Sequence, residues 1–118
     1  MSSIYPRRAG KPLRGESWSG FETLVPEKTR TVPTGPGLYV LTDAGSQEIC
    51  YIGQSMNCAN RLLSHSKKFW DGKALRFSFY RVERTVLPHH LMELENDLIG
   101  NYFEHYKKAP EYQFRNSR

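Results

Sequence analysis

A chain of 118 residues, 38% apolar and 25% charged, is one domain at the usual roughly 100–200 residues each, with one modest core. Seventeen Lys and Arg against 12 Asp and Glu give a net charge of +5, which favours polyanionic partners because each phosphate neutralised releases condensed counterions. Length excludes large multidomain enzymes and doubly wound dinucleotide-binding folds. No apolar run approaches the roughly 18–20 residues of a membrane span, and the N-terminus lacks a signal peptide's apolar stretch, so a cytoplasmic protein with no membrane partner is expected.

Five of the seven prolines fall in the first 36 residues, where no period of two or 3.6 persists. Arg7, Arg8, Lys11 and Arg14 face a single acid, Glu16. Residues 1–33 are expected to form a basic arm, either loosely draped or riding on phosphates and pinned by Trp18 and Phe21, ahead of a domain at 34–118. A turn cluster at 34–37 leads into a strand at 38–41, a loop at 43–46 and a second strand at 49–52, an antiparallel hairpin. Asn57 caps a helix to about Lys68, and Asp71-Gly72 turns the chain. The alternation over 75–82 predicts a third strand. Pro88 suits the first turn of a helix that runs to about Tyr106 and is ended by Lys107, Lys108, Ala109 and Pro110. The fold class is α+β, a small central three-stranded antiparallel sheet flanked by helices. Cys50 and Cys58 belong to no CxxC pair, and a zinc site needs four ligands; they read as a buried thiol beside a strand and a loop thiol, ahead of a Cys50–Cys58–His65 metal cluster.

The last helix carries an anomaly. At about 100° per residue, Leu91, Met92, Leu94, Leu98, Ile99, Tyr102, Phe103 and Tyr106 share one broad arc, and Glu95 falls near its middle while Glu93 points to solvent. A carboxylate facing a core costs several kcal/mol unless paired, neutralised or bound to a cation. Three explanations stand: Glu95 pairs with an Arg across the core, or the arc lines a cleft where Glu95 meets a metal or substrate, or the helix register differs. Arg61 and His65 are four apart on the preceding helix and share a face. Such a pair suits a phosphate, since the guanidinium fork holds two oxygens and imidazole can donate or shuttle a proton, although it is also common on solvated helices.

Gly37-Leu38-Tyr39, followed after eleven residues by Tyr51-Ile52-Gly53, resembles the signature of the GIY-YIG nuclease superfamily, with Leu for Ile in the first triplet. Gly53-Gln54-Ser55-Met56-Asn57 continues as that family's loop does. Arg61 stands where the family places its phosphate-contacting arginine, and His65 where it has His or Tyr. Glu95-Asn96-Asp97-Leu98-Ile99 resembles the metal-binding glutamate with its Leu-Ile pair, and Pro110 and Asn116 resemble the closing Pro and Asn. The likeness spans residues 37–116 in order and selects the glutamate that the helical wheel selects independently. Two departures stand out: the Pro110–Asn116 spacing is longer than in compact excision-repair relatives, and Gln54 replaces the Lys that many relatives carry.

The resemblance implies an endonuclease that nicks or cuts DNA with a single divalent cation, Mg²⁺ or Mn²⁺, held by Glu95. No paired-carboxylate cluster is available to hold a second ion. It further implies that Arg61 neutralises charge on the transition state and that Tyr39 and Tyr51 orient the attacking water, one of them as general base. Arg61, His65 and the metal are the expected sources of positive charge that lower a phenol's pKa. Asn116 is expected to hold a tyrosine or a phosphate, and Gly53, Ser55, Arg61, Lys67 and Lys68 to contact the nucleic acid. No helix-hairpin-helix or zinc-finger reader is expected, so specificity is expected from DNA shape, from the arm, from a homodimer or from a partner protein, or the cut is expected to have only a slight preference. The alternative is a non-catalytic DNA-binding or partner-binding module on the same fold.

Overall fold

The computed structural model describes residues 18–114 and builds them as a four-stranded antiparallel sheet with helices on both faces. In chain order the elements are β1 (Glu22–Thr23), α1 (Pro26–Thr29), β2 (Gly37–Asp43), β3 (Ile49–Ser55), α2 (Cys58–Ser66), β4 (Leu75–Arg81) and α3 (Pro88–Tyr106), with strand order β1-β4-β2-β3. The α+β class is as expected, with a fourth strand beyond the three predicted. That strand pairs two residues with the edge of β4 (Glu22 opposite Phe77, Thr23 opposite Arg76), too short to show a period. Of the expected arm, residues 1–17 lie outside the described part. Residues 18–33 pack onto the sheet: Trp18 stacks on Tyr80 with centroids 5.3 Å apart, and Leu24 and Val32 are buried.

Central strand β2 is covered on both sides, so Leu38, Tyr39, Val40 and Leu41 are all buried, and alternate residues serve opposite layers. Tyr39 and Leu41 pack with Cys58 and Leu62 of α2, whereas Leu38 and Val40 pack with Leu91, Leu98 and Tyr102 of α3. Gly37 is required where β2 passes β4, because a Cβ there would stand 2.9 Å from the Tyr80 carbonyl oxygen. Between β2 and β3 the register shifts: Leu41 faces Tyr51 while Thr42 faces Ile49, leaving Cys50 as the extra residue. A bulge of this kind re-aims side chains. Here it lets Ile49 face α3 while Cys50 and Tyr51 both face the α2 side, which sets Tyr51 beside Tyr39.

Strand β3 is an edge, and the C-terminal segment covers it. The Gln113 side chain accepts from the Ile52 N–H (2.8 Å) and donates to the Ile52 carbonyl (2.7 Å), and the Tyr112 N–H donates to the Cys50 carbonyl (2.9 Å). Helix α2 opens on Asn57, whose side chain accepts the Asn60 N–H at 3.1 Å. Helix α3 begins at Pro88 and ends on Lys107 in the left-handed region (φ 63°), with Pro110 beyond it. Its buried stripe is narrower than the predicted arc. Leu91, Leu98 and Tyr102 are buried, but Met92 and Phe103, on the flank of that stripe, and Tyr106, at the helix end, are about half exposed. Among the described residues, no helix is long and apolar enough to cross a membrane.

Candidate active site

The two signature tyrosines meet beside α2. Tyr39 is fully buried, and its ring centroid lies 6.2 Å from that of Tyr51 and 5.4 Å from His65; Tyr51 and His65 are 5.3 Å apart. The Tyr39 hydroxyl is 2.8 Å from His65 Nε2. Gly53, directly opposite Tyr39 in the sheet, forms the floor under that ring: a Cβ there would overlap its Cζ and hydroxyl oxygen. Trp70 closes the far side, its Nε1–H donating to the His65 carbonyl (2.9 Å) and its ring 5.6 Å from the imidazole. Tyr112 meets Trp70 edge-on at 5.3 Å and donates to Asp71 at 2.8 Å, tying the C-terminal segment to the cluster.

Arg61 is exposed on α2 and acts electrostatically on Tyr39, Tyr51, His65 and Glu95. Glu95 is half-buried on α3, and its carboxylate acts on Tyr51. Charges from α2 on one face of the sheet and from α3 on the other thus both act on Tyr51, on edge strand β3. Desolvation holds Glu95 above the usual carboxylate range against the opposing pull of Arg61. Of the three explanations for this acid, a different helix register is set aside, because α3 spans Pro88–Tyr106 as expected, and among the described residues no ion pair closer than 4.0 Å neutralises it.

Burial pushes the Tyr39 hydroxyl far above the ordinary phenol range, Tyr51 adds to the rise, and Arg61 opposes it by charge and as a nearby donor. Tyr51 is also raised, by desolvation first and then by Glu95, with Arg61 and the Tyr39 hydroxyl opposing. His65 is driven down to about 4, chiefly by burial and then by Lys68 and Arg61. The imidazole is thus neutral at physiological pH and is not the source of positive charge expected for it; Arg61 acts in the expected direction, but burial outweighs it. Among the described residues His65 Nδ1 has no hydrogen-bond partner. A buried orphan N–H is rarer than an unsatisfied acceptor, which favours the tautomer with the proton on Nε2, donated to the Tyr39 oxygen.

The sign of the His65 shift gives a stability prediction. A folded-state pKa near 4 against 6.5 unfolded makes the contribution fully present above pH 6.5 and lost as pH falls toward 4. The difference in unfolding free energy between wild type and His65→Phe should therefore shrink by roughly 3 kcal/mol from pH 7 to pH 4, read by urea titration at each pH. A pH-independent difference would contradict the neutral buried imidazole.

The remaining predicted residues fall in different places. The Ser55 hydroxyl is engaged in accepting the Asn57 N–H at 2.9 Å, just ahead of α2. Lys67 and Lys68 are exposed past the end of α2, with Lys68 Nζ 5.1 Å above the Trp70 ring. Asn116 lies outside the described residues. Sequence reasoning did not single out Trp70 or Gln113; the only available signal was an aromatic just after a helix whose face carries Arg61 and His65.

An antiparallel sheet between two helical layers, with paired tyrosines on its neighbouring strands β2 and β3, defines a small α+β domain consistent with a GIY-YIG-like fold. The curated proteins it resembles are UvrABC system protein C of Chlamydia caviae (32% identical over 84 residues, 65% of this chain and 14% of that protein), of Acidobacterium capsulatum (34% over 79 residues, 62% and 12%) and of Chlamydia abortus (31% over 84 residues, 65% and 14%). The matched part thus spans only 12–14% of the length of these relatives. No family model matches the chain, and no solved structure matches it.

Proposed function

We propose that this chain is an endonuclease that hydrolyses phosphodiester bonds in DNA, dependent on one Mg²⁺ or Mn²⁺ ion and acting in the cytoplasm. The observation that supports it most is the gathering of Tyr39, Tyr51, His65, Arg61 and Glu95 at one sheet edge from two strands and two helices. The likeness to UvrABC system protein C, a component of a multi-protein system by its name, agrees with it.

The residues fit a single hard cation. Among the described residues no three His, Cys, Asp or Glu side chains come together as a cage. Mg²⁺ needs none: it keeps several waters and binds through one or two carboxylates plus substrate phosphates. Glu95, half-desolvated and not neutralised by a close cation, is the side chain that would hold it. When bound, such an ion supplies charge stabilisation at the phosphate and the departing 3′ oxygen.

The chain's own residues do the rest. Arg61, exposed beside the cluster, neutralises charge that builds on the phosphoryl oxygens. Tyr39 is fixed by Gly53 beneath it and His65 at its hydroxyl, and Tyr51 by the bulge, so the pair orients the attacking water, with Tyr51, the less buried of the two, toward it. Water adds to phosphorus and gives its proton to the phenolate form of one tyrosine, the bond to the 3′ oxygen breaks, and that oxygen takes a proton from solvent. Both phenols are protonated in the free protein, so one would become a base only where Arg61 and a bound cation offset its burial.

Supercoiled-plasmid nicking tests the reading. Wild type should nick in Mg²⁺ or Mn²⁺ and not in EDTA, and Arg61→Ala should be slower by about 10²–10³-fold. DNA binding without nicking would leave a non-catalytic module.

A further inference from the structure

Beside this cluster stands a feature that the hydrolytic reading does not use. Phe69 is 82% exposed, an aromatic ring bare to water. Its mount is rigid: the Lys67 and Lys68 N–H groups donate back to Ser64 and His65 carbonyls at 3.1 Å, and Trp70 on the other side is bonded to the His65 carbonyl and packed on His65 and Tyr51. Two exposed lysines precede it. An exposed apolar ring on an anchored backbone, next in sequence to two exposed lysines and to Trp70 of the cluster, matches a nucleotide in both its parts, the flat base and the anionic backbone.

We propose that Phe69 is a stacking platform for an unpaired DNA base next to the scissile phosphate, so that the preferred substrate is DNA with unpaired nucleotides at the cut, such as a bulge, flap or single strand. This rests on the endonuclease reading for its biological meaning, but the stacking itself is independent of cleavage. A base inside a continuous duplex offers only its edges to a groove, whereas an unpaired base offers a face. The platform therefore discriminates by structure without reading sequence.

Binding in EDTA separates the two. Fluorescence anisotropy should be measured for wild type, Phe69→Ala, Phe69→Leu and Phe69→Trp on three labelled oligonucleotides: continuous duplex, the same duplex with a one-nucleotide bulge, and single strand. Because Phe69 is exposed, the variants should keep the wild-type Tm. Phe69→Ala is expected to weaken bulge and single-strand binding about 5- to 150-fold with duplex binding within about 2-fold, Phe69→Leu to behave like Ala, and Phe69→Trp to bind like wild type. Unchanged affinities, an equal loss on all three oligonucleotides, or rescue by Leu would each overturn the proposal. Plasmid nicking unaltered in Phe69→Ala together with unchanged affinities would sink the platform and spare the nuclease. Wild type that never nicks, yet shows the Phe69-dependent preference, would do the reverse.

Discussion

Replacing Glu95 by Gln is expected to abolish nicking and to leave the fold as stable as wild type or more so. The carboxylate is half-buried on α3, and its loss of hydration outweighs the pull of Arg61, so its charge is a burden on the folded state. A raised carboxyl pKa means that the stabilising contribution belongs to the protonated form; it is present at low pH and lost as pH rises through the folded-state value. Gln is the uncharged isostere and removes that burden. On the proposed reading it also removes the carboxylate that would hold the cation, and charge stabilisation worth several kcal/mol at a phosphoryl oxygen corresponds to about 10³-fold or more in rate. Nicking rate and thermal melting on the same preparation check both halves. A variant that is inactive because it has unfolded would contradict the account, since Glu95 would then be a structural partner.

The second large effect is expected at Gly53. Its backbone is ordinary strand, so an alanine is conformationally tolerable, and the obstacle is purely steric: the added methyl would overlap the Tyr39 ring. That ring has nowhere to go, being fully buried and bonded at its hydroxyl to His65. Overpacking of this kind costs about 1–3 kcal/mol. A displacement of about 1 Å in a positioned catalytic group costs on the order of 10²-fold in rate, so Gly53→Ala should lower both Tm and nicking. Gly100 on the exposed side of α3 is the control: nothing lies within 4 Å of a Cβ there, and Gly100→Ala should raise stability by up to about 1 kcal/mol without touching activity. If the two alanines behaved alike, the glycine in the second signature triplet would not be serving Tyr39.

What the sequence revealed follows from which physics is local. Strands 38–41, 49–52 and 75–82, the Asn57 cap and the Pro88 start are set by alternation, capping chemistry and proline geometry within a few residues, and the structure places elements there. Glu95 was legible because a carboxylate on an apolar arc violates a local rule. The width of that arc was not, since Met92 and Phe103 are apolar by type yet lie on the flank of the stripe that packing buries. The non-alternating run Ile49-Cys50-Tyr51-Ile52 held the trace of the bulge that aims Tyr51, but only pairing with β2 gives it meaning. The two residues of β1 carry no period at all. The neutral state of His65 depends on burial by Tyr51, Trp70 and Tyr39, which come from three separate stretches of the chain.

Single-turnover cleavage of an end-labelled duplex in ¹⁸O-enriched water with Mn²⁺ bears most directly on whether this sheet-edge cluster hydrolyses DNA. The expected products carry a 3′-hydroxyl and a 5′-phosphate that has gained one solvent oxygen, with no product from Glu95→Gln. Failure of the wild-type protein to cleave with either cation, or equal cleavage by Glu95→Gln, would contradict the assignment.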